Sequence, residues 1–197
     1  LSMIQEAEKR GALTPGKSVI VEGTSGNTGI GLALVAASKG YKCILCMPES
    51  MTVERRNTLK AYGAELVLTP ASEGMRGAVN KAKEIVSQNP NAWEARQFDN
   101  ADNPLIHRNT TGPEILQQVP ELDALVAGIG TGGTVSGAGR VIKAAKPQVK
   151  VYAVEPKDSP LLTEGKAGPH KIQGIGANFV PSILDREVYD QVIDVTY

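Results

Sequence analysis

The apolar positions of the chain alternate between short strand-like runs and longer stretches with helical spacing. Residues 18–22 and 43–47 are short strand-like runs, each precedes a stretch predicted to be helical, and residues 74–88 place their apolar side chains on one helical face. Gly40 and Gly63 follow two of these stretches, where glycine commonly ends a helix. This alternation predicts an α/β fold with mostly parallel sheets and helices on both faces.

The same pattern continues to the end of the chain. Helices are predicted to end near Lys39 and Ala145, to cover residues 52–62 and 74–88, and to begin at Gly112, with a short helix within 100–109. Further strands are predicted at 65–69, 93–98, 124–129, 149–154 and 188–195, and residues 160–178 are expected to be irregular.

A strand–loop–helix–strand unit occurs at residues 19–48 and again at 125–156. We therefore expect two Rossmann-like, three-layer αβα lobes, a smaller one over residues 1–101 and a larger one over 102–197. The alternative, that any two βαβ units look alike, stays open at this point.

Two polar, glycine-rich loops are predicted between a strand and the helix that follows it. Loop 1 (residues 24–29) reads Thr24-Ser25-Gly26-Asn27-Thr28-Gly29, and loop 2 (residues 130–134) reads Gly130-Thr131-Gly132-Gly133-Thr134. A helix that begins at such a loop directs free backbone N–H groups and its positive dipole end at one point. Both loops therefore predict an anion site.

Loop 2 fits a phosphate group. Its three glycines allow successive N–H groups to converge, and no lysine follows them, which excludes a P-loop. The dinucleotide spacing G-x-G-x-x-G occurs at residues 128–133, but Glu155, about twenty residues on, is followed at once by Pro156. A small phosphate monoester therefore fits better than a dinucleotide, and a tight turn without a ligand is the alternative.

Loop 1 offers neutral hydroxyl and amide donors that could hold a carboxylate and a phenolic oxygen. Gln97, at the end of a predicted strand, could add a donor at the carboxyl edge of a sheet. From the residues alone, a surface amide is the favoured interpretation of Gln97. His107 is expected to be a surface or helix-packing residue, and a Ser-His-Asp set is not evident.

Composition narrows the classes of function. The 197 residues are 41% hydrophobic and 21% charged with a formal net charge of zero, which predicts a packed core and argues against nucleic-acid binding. The sequence contains no run of about eighteen apolar residues, so no membrane span is predicted. Cys43 and Cys46 form C-x-x-C within a predicted strand, where residues three apart face opposite ways, so packing is favoured over redox chemistry. With two histidines and two cysteines, no metal site is expected.

Five segments together resemble a known family. They occur in the family's order and approximate spacing across essentially the whole chain: loop 1, Gln97-Phe98-Asp99-Asn100, Thr110-Thr111-Gly112-Pro113-Glu114, loop 2, and Pro169-His170-Lys171-Ile172-Gln173-Gly174-Ile175-Gly176. The family is the cysteine synthase/cystathionine β-synthase group of fold-type II pyridoxal-phosphate enzymes. The last segment favours cysteine synthase, that is O-acetylserine sulfhydrylase.

The resemblance implies a cofactor, pyridoxal 5′-phosphate, and a reaction, β-replacement of O-acetylserine by sulfide to give cysteine and acetate. It implies that Asn27 bonds the cofactor ring oxygen and that Gly130, Thr131, Gly132, Gly133 and Thr134 hold its phosphate. It implies that Thr24, Ser25, Gly26, Thr28 and Gln97 bind the substrate carboxylate and that Gly174 lines the site mouth. A cystathionine β-synthase-type reaction and a non-catalytic relative are the alternatives.

Two family residues are not matched, and these departures bear on the predicted activity. The Schiff-base lysine of the family is expected upstream of Leu1, and a serine that contacts the pyridine nitrogen is expected beyond Tyr197, so we assign no catalytic residue. The chain is accordingly expected to be an interior segment, incomplete at both ends.

The resemblance also implies a homodimer and a partner, the C-terminal tail of serine acetyltransferase. Lys166, His170 and Lys171 match a basic loop linked to that partner, although solvated loop charge is the default interpretation. A cytoplasmic location is expected, with a plastid or mitochondrion as the alternative if a transit peptide has been lost.

Overall fold

The computed structural model describes residues 1–24 and 26–197 and contains two parallel sheets. By its internal contacts the chain divides into two compact units. Unit 1 comprises Leu1 and Met3–Arg96, and unit 2 comprises Ser2 and Gln97–Tyr197. The predicted parallel α/β class is confirmed. The assignment of one ligand loop to each of two functional lobes remains a prediction.

The first half of the chain builds a four-stranded sheet with the order β3-β2-β1-β4. Its strands are β1 (Val19–Gly23), β2 (Lys42–Pro48), β3 (Glu65–Thr69) and β4 (Ala92–Glu94). Its helices are α1 (Ser2–Lys9), α2 (Asn27–Lys39), α3 (Val53–Ala61) and α4 (Gly74–Gln88), with a 3₁₀ turn at Ala71–Glu73. All three strand pairings are parallel, as the βαβ pattern predicted.

Helices cover both faces of this sheet. On one face, Leu32 of α2 and Leu59 of α3 pack with Leu45 of β2 in the larger core cluster. On the other face, Ala78 of α4 packs against Val21 of β1. Unit 1 is therefore a three-layer αβα arrangement, and the two cores are separated by the sheet itself.

The two cysteines lie on opposite faces of β2, as the strand pattern predicted. Cys43 belongs to the cluster beneath α2 and α3, and Cys46 belongs to the cluster beneath α4. Burial raises the pKa of Cys43 to about 12 and that of Cys46 to about 11. The packing interpretation is confirmed, because both are buried free thiols.

The second half of the chain builds a three-stranded parallel sheet with the order β5-β6-β7. Its elements are α5 (Asp102–Ile106), a π-helical turn (His107–Thr111), α6 (Gly112–Gln118), β5 (Ala124–Gly128), α7 (Gly133–Ala145), β6 (Lys150–Pro156), α8 (Leu161–Glu164) and β7 (Gln191–Val195). Val135 of α7 packs with Val151 and Ala153 of β6 in the core of this unit, while Val126 of β5 is 59% exposed.

Two predicted strands are shorter than expected. The strand predicted at residues 93–98 ends at Glu94, because Arg96 has a φ of 53° that no extended strand can contain. The strand predicted at 188–195 begins at Gln191, because the N–H of Val188 turns back to the carbonyl of Asp185. The predicted irregular segment 160–178 contains the short helix α8.

Within the described residues, none of the helices combines the length and apolar character that a membrane span requires. The same part of the chain contains no group of three or more His, Cys, Asp or Glu residues placed to hold a metal ion.

Candidate ligand-binding loops

Loop 2 joins β5 to α7, and at two of its positions close neighbours leave room only for glycine. A Cβ atom on Gly130 would lie 2.3 Å from the carbonyl oxygen of Gly174, and one on Gly133 would lie 2.1 Å from Oδ1 of Asn103. Gly132, the residue before α7, has a φ of 83°, which favours glycine. The backbone of loop 2 is therefore shaped by contacts that a larger residue would break.

Asn103, in the first turn of α5, connects loop 2 to Gln97. Its Nδ2 donates to the carbonyl oxygen of Gln97 at 2.8 Å and to Oγ1 of Thr131 at 3.0 Å. The same hydroxyl accepts the N–H of Gly133 at 3.3 Å. Sequence reasoning missed Asn103, because its contact with Thr131 spans 28 residues and its only local signal is a polar residue at a helix start.

His107 lies beneath the other end of loop 2. Its Nδ1 is 2.9 Å from Oγ1 of Thr111 and its Nε2 is 3.4 Å from Oγ1 of Thr134. Burial lowers the pKa of His107, which favours the neutral imidazole with one donor and one acceptor nitrogen. The helix-packing interpretation is correct, but His107 also contacts a predicted phosphate-binding residue.

Close helix packing holds His107 in this place. A Cβ atom on Gly137 of α7 would lie 2.2 Å from the carbonyl oxygen of Pro104 and 2.7 Å from Cβ of His107. The π-helical turn that contains His107 therefore presses directly on the helix that begins at loop 2. Such turns occur frequently at functional sites.

The geometry of loop 2 suits a phosphate group. Among the described residues, the backbone N–H groups of Thr131, Gly132 and Thr134 donate to no carbonyl or side chain. The first turn of α7, a helix of 13 residues, contains no acidic side chain. Free N–H groups at the positive end of a helix suit an anion, and the close-fitting glycines fix the shape of the loop that carries them.

Residues 174–176 lie directly against β5 and loop 2. The N–H of Gly176 donates to the carbonyl of Ile129 at 3.0 Å, and a Cβ atom on Gly128 would lie 2.7 Å from Cγ2 of Ile175. This places Gly174, a predicted site-lining residue, beside the proposed phosphate cradle within unit 2.

Loop 1 joins β1 to α2 and is held mainly by Thr24, which is 2% exposed. The N–H of Thr24 donates to the carbonyl of Cys46 at 2.9 Å, and its Oγ1 accepts the N–H of Gly26 at 3.3 Å. A Cβ atom on Gly29 would lie 2.7 Å from Cγ2 of Thr24. Thr24 therefore has a structural role in loop 1 in addition to its predicted donor role.

The remaining predicted residues of loop 1 differ in exposure. Asn27 is exposed and Gly26 and Thr28 are half-buried, whereas Ser25 lies outside the described residues. Gly26 precedes α2 without a side-chain cap, and the first turn of α2 contains no acidic residue. The start of this 13-residue helix therefore also suits an anion, such as a carboxylate.

Gln97 is 8% exposed, so its interpretation as a surface amide is wrong. It belongs to unit 2, where Asn103 connects its backbone to loop 2. The residue before it, Arg96, is held in its left-handed conformation by a 2.8 Å hydrogen bond from its N–H to the carboxylate of buried Glu22. Sequence reasoning missed Glu22, which no motif distinguished from the other residues of β1.

Glu155, the acidic residue considered for dinucleotide binding, is already engaged. Its carboxylate accepts the N–H of Leu162 at 2.7 Å and the N–H of Thr163 at 3.0 Å, which caps the short helix α8. The side chain is 3% exposed. This arrangement supports the choice of a phosphate monoester over a dinucleotide.

The three basic residues of the predicted partner loop have different environments. Lys166 is exposed and lies 3.3 Å from the carboxylate of Glu164, and exposed Lys171 lies 5.9 Å from the ring centroid of Tyr197. His170 is half-buried, with Nε2 2.8 Å from the carbonyl oxygen of Gly176 and with Nδ1 buried without a partner among the described residues. The solvated-charge interpretation therefore fits the lysines and not the histidine.

The sequence of the chain is similar to a described family and to curated proteins. Residues 1–197 match the family model described as "Pyridoxal-phosphate dependent enzyme". The chain is 55% identical over 197 residues to a cysteine synthase of Staphylococcus aureus strain Mu50, covering 99% of this chain and 63% of that relative. The chain thus spans less than two thirds of the length of this curated relative.

Solved structures agree with the sequence match. A cysteine synthase from Entamoeba histolytica superimposes with a TM-score of 0.93 at 41% identity, covering 99% of this chain and 58% of that one. An O-ureido-L-serine synthase superimposes with a TM-score of 0.93 at 45% identity, covering 98% and 62%. From its sequence motifs, its two parallel sheets and the family match over its full length, the chain belongs to the pyridoxal-phosphate dependent enzymes.

Proposed function

We propose that the protein carrying this chain is a cysteine synthase that uses pyridoxal 5′-phosphate to replace the acetoxy group of O-acetylserine by sulfide, which gives cysteine and releases acetate. The observation that carries this proposal is loop 2, whose free N–H groups and crowded glycines fit a small phosphate. The names of the relatives narrow the reaction to cysteine formation. A parallel proposal for substrate handling rests on loop 1.

In this proposal, loop 2 holds the phosphate of the cofactor. The free backbone N–H groups of Thr131, Gly132 and Thr134 and the hydroxyls of Thr131 and Thr134 are the donors, and Gly130 and Gly133 give the loop its close-fitting shape. Asn103 fixes Thr131, and neutral His107 accepts from or donates to Thr134 without adding a positive charge. When bound, the cofactor supplies an electron sink for negative charge at the substrate α-carbon.

Loop 1 would bind the substrate carboxylate. Thr24 and Thr28 supply hydroxyl groups at the positive end of α2, and the N–H of Gly26 holds the hydroxyl oxygen of Thr24 in place. The absence of an acidic residue from the first turn of α2 avoids repulsion. Ser25, Gln97 and Gly174 complete the proposed substrate set. The exposed amide of Asn27 would donate to the ring oxygen of the cofactor.

The proposed macromolecular partner is the C-terminal tail of serine acetyltransferase, and the proposed assembly is a homodimer. Exposed Lys166 and Lys171 support an acidic partner, since both present cationic groups to solvent. Reversing the charge of both lysines should weaken binding of an acidic tail peptide at low salt and leave it little changed at high salt. Unchanged affinity at low salt would contradict this part.

The experiment that tests the activity is a product assay with the full-length protein. Cysteine should form from O-acetylserine and sulfide only when pyridoxal 5′-phosphate is present. The second substrate discriminates between the reactions, because turnover with homocysteine and not with sulfide would favour the cystathionine β-synthase-type reaction. Cofactor binding without turnover of any of these substrates would favour a non-catalytic relative.

A variant of loop 2 tests the proposed phosphate site. Thr134→Val removes a hydroxyl from the proposed phosphate site, and we expect weaker cofactor affinity by about 1 kcal/mol, or roughly fivefold. Thr110→Val is the matched control, because the hydroxyl of Thr110 is exposed and donates to the carbonyl of Ile106 in its own helical segment. Equal cofactor affinity in both variants would contradict the phosphate assignment.

A further inference from the structure

Unit 1 contains a groove between α3 and the strand β3 that the proposed reaction does not use. Its volume is about 250 Å³, and it is lined by Val53, Arg56, Asn57 and Lys60 of α3 and by Leu66 and Leu68 of β3. None of these residues belongs to loop 1 or to loop 2. The groove lies entirely within unit 1.

The face of α3 that lines the groove is polar and cationic. Val53, Arg56, Asn57 and Lys60 are spaced by three, one and three residues, which places them on one side of the helix. The buried residue of α3 is Leu59, which is 2% exposed and packs into the core beneath the sheet. A helix packs on a sheet through its apolar stripe, which here contains Leu59, so packing in the core does not require the cationic side chains that border the groove.

One donor of the groove lacks a partner within the described part of the chain. Nε of Arg56 is buried and has no hydrogen-bond partner there, and Lys60 forms no ion pair among the described residues. No acidic side chain lines the groove. A buried donor without an acceptor is costly, so an anionic group at this place would satisfy Arg56 and be attracted by Lys60.

The other wall of the groove is an edge strand. β3 is the terminal strand in the sheet order β3-β2-β1-β4, so part of its backbone N–H and C=O groups point away from β2. Leu66 and Leu68 are two residues apart and therefore share a face of the sheet. Leu68 is 45% exposed, and Val53 on the opposite wall is 56% exposed.

We propose that this groove binds an extended, acidic segment of a partner protein that pairs with the edge of β3. The carboxylates of the segment lie against Arg56 and Lys60, and its aliphatic side chains contact Leu66 and Leu68. Addition of a strand to an exposed sheet edge supplies affinity through main-chain hydrogen bonds, and alternate side chains supply specificity. The charge of the groove selects the acidic partner, since the lining contains two cations and no acid.

The test is fluorescence anisotropy with the full-length, cofactor-loaded protein and two labelled seven-residue probes. One probe has aspartate or leucine at every second position and serine or threonine between them, so that both side-chain types share the face directed at the groove. The other probe replaces each aspartate by lysine. The acidic probe should bind and the basic probe should not. Arg56→Glu combined with Lys60→Glu should weaken binding of the acidic probe by at least about tenfold.

A matched control carries the same change in net charge elsewhere in unit 1. Lys17→Glu combined with Lys83→Glu alters two exposed cations outside the groove and should change the affinity by less than about threefold, since surface charges act weakly at a distance. Arg56→Gln combined with Lys60→Gln gives a milder variant in case charge reversal impairs folding, which thermal unfolding by circular dichroism reveals. Leu68→Ser tests the apolar wall and should also weaken the probe.

Five results would overturn the proposal. Equal loss in the groove and control variants would mean that net charge alone attracts the probe. Equal binding of the basic probe, or no binding of either probe at about 1 mM, would exclude an acidic partner. Unchanged affinity in Leu68→Ser would reduce the site to an anion site. A groove variant that changes only the sedimentation coefficient would make the groove an interface between copies of this chain. Turnover of O-acetylserine enters none of these readouts, so the proposed function stands or falls separately.

Discussion

Loop 1 and loop 2 occupy equivalent positions, each between a parallel strand and the helix that follows it, yet they are held differently. In loop 2 the backbone is fixed by segments outside the loop: the side chain of Asn103 donates to Thr131, and close neighbours leave no room for a Cβ atom on Gly130 or Gly133. Each loop also contains a threonine, Thr24 or Thr131, whose hydroxyl accepts the N–H of the residue two positions on. In loop 1 the methyl group of Thr24 also packs against Gly29. Both helix starts lack acidic residues, so both suit anions.

The difference is consistent with the two kinds of binding site that we propose for the loops. A loop whose shape is set by neighbouring segments suits a group that stays bound, such as the phosphate of a cofactor. A loop held mainly by one of its own side chains, with exposed Asn27 at the start of its helix, suits a ligand that enters and leaves in each turnover. The comparison can be tested by removing the supports of each loop in turn.

The largest effect is expected from Gly130→Ala. The new methyl group would lie 2.3 Å from the carbonyl oxygen of Gly174, so either loop 2 or residues 174–176 must move. We expect a loss of about 1–3 kcal/mol in the free energy of unfolding and at least about tenfold weaker binding of pyridoxal phosphate. Urea unfolding and a fluorescence titration with the cofactor measure the two quantities.

The control is Gly31→Ala in the interior of α2, where an added Cβ would meet nothing within 4 Å. This variant should be more stable by about 0.5–1 kcal/mol, because alanine favours a helix interior over glycine. Wild-type cofactor affinity in Gly130→Ala would show that the contact with Gly174 does not shape loop 2.

The next largest effect is expected from Asn103→Ala. The change removes the donor to the Gln97 carbonyl and to Thr131 Oγ1, and we expect it to weaken cofactor binding by about 1–3 kcal/mol. Gln118→Ala is the control, because Gln118 is exposed in α6 and forms no side-chain hydrogen bond among the described residues. If substrate KM rises while cofactor affinity stays unchanged, the roles assigned to the two loops are wrong.

Thr24→Val in loop 1 should affect substrate binding and not cofactor binding. Valine keeps the shape of threonine but removes the acceptor of the Gly26 N–H, which costs about 0.5–1.5 kcal/mol. We expect a several-fold higher KM for O-acetylserine with little change in cofactor affinity, measured by steady-state kinetics and cofactor titration. Thr24→Ser keeps the hydroxyl and should retain a KM near that of the wild type. A raised KM in Thr24→Ser together with a KM near that of the wild type in Thr24→Val would instead assign the role to the methyl group that contacts Gly29.

The smallest effect concerns pH and His107. Burial lowers the pKa of this imidazole below its usual 6.5, so the unfolded chain takes up its proton first as the pH falls. The contribution of His107 to stability is therefore present above about pH 6.5 and is lost as the pH falls toward the lowered pKa. His107→Gln should flatten the dependence of the unfolding free energy on pH between about 7.5 and 5. An unchanged slope would place the titration elsewhere.

Local patterns predicted most of the fold. The strands beside the two loops and the helices that end at Gly40 and near Ala145 agree with the structure, because apolar period and glycine position are local signals. The strand before Gln97 was predicted too long, since the left-handed turn at Arg96 depends on a carboxylate 74 residues earlier. That dependence is invisible in a local pattern.

The candidate site was predictable only in its glycine-rich parts. Loops 1 and 2 carry dense local signals, whereas their supports come from distant segments. Asn103 and Glu22 act through side-chain contacts with residues 28 and 74 positions away, and no periodicity marks either. The burial of Gln97 was missed for the same reason, because its environment is formed by tertiary packing.

The thiols of Cys43 and Cys46 have a practical consequence. Nucleophilic attack requires the thiolate, and both groups are buried with pKa values raised to about 12 and about 11. The folded protein should therefore not react with alkylating or chromogenic thiol reagents. In the proposed product assay, such reagents would then report only free cysteine in solution. When the reagents do label the protein, the two sulfurs lie on opposite faces of one strand, and their separate labelling rates would time the opening of each face of the sheet.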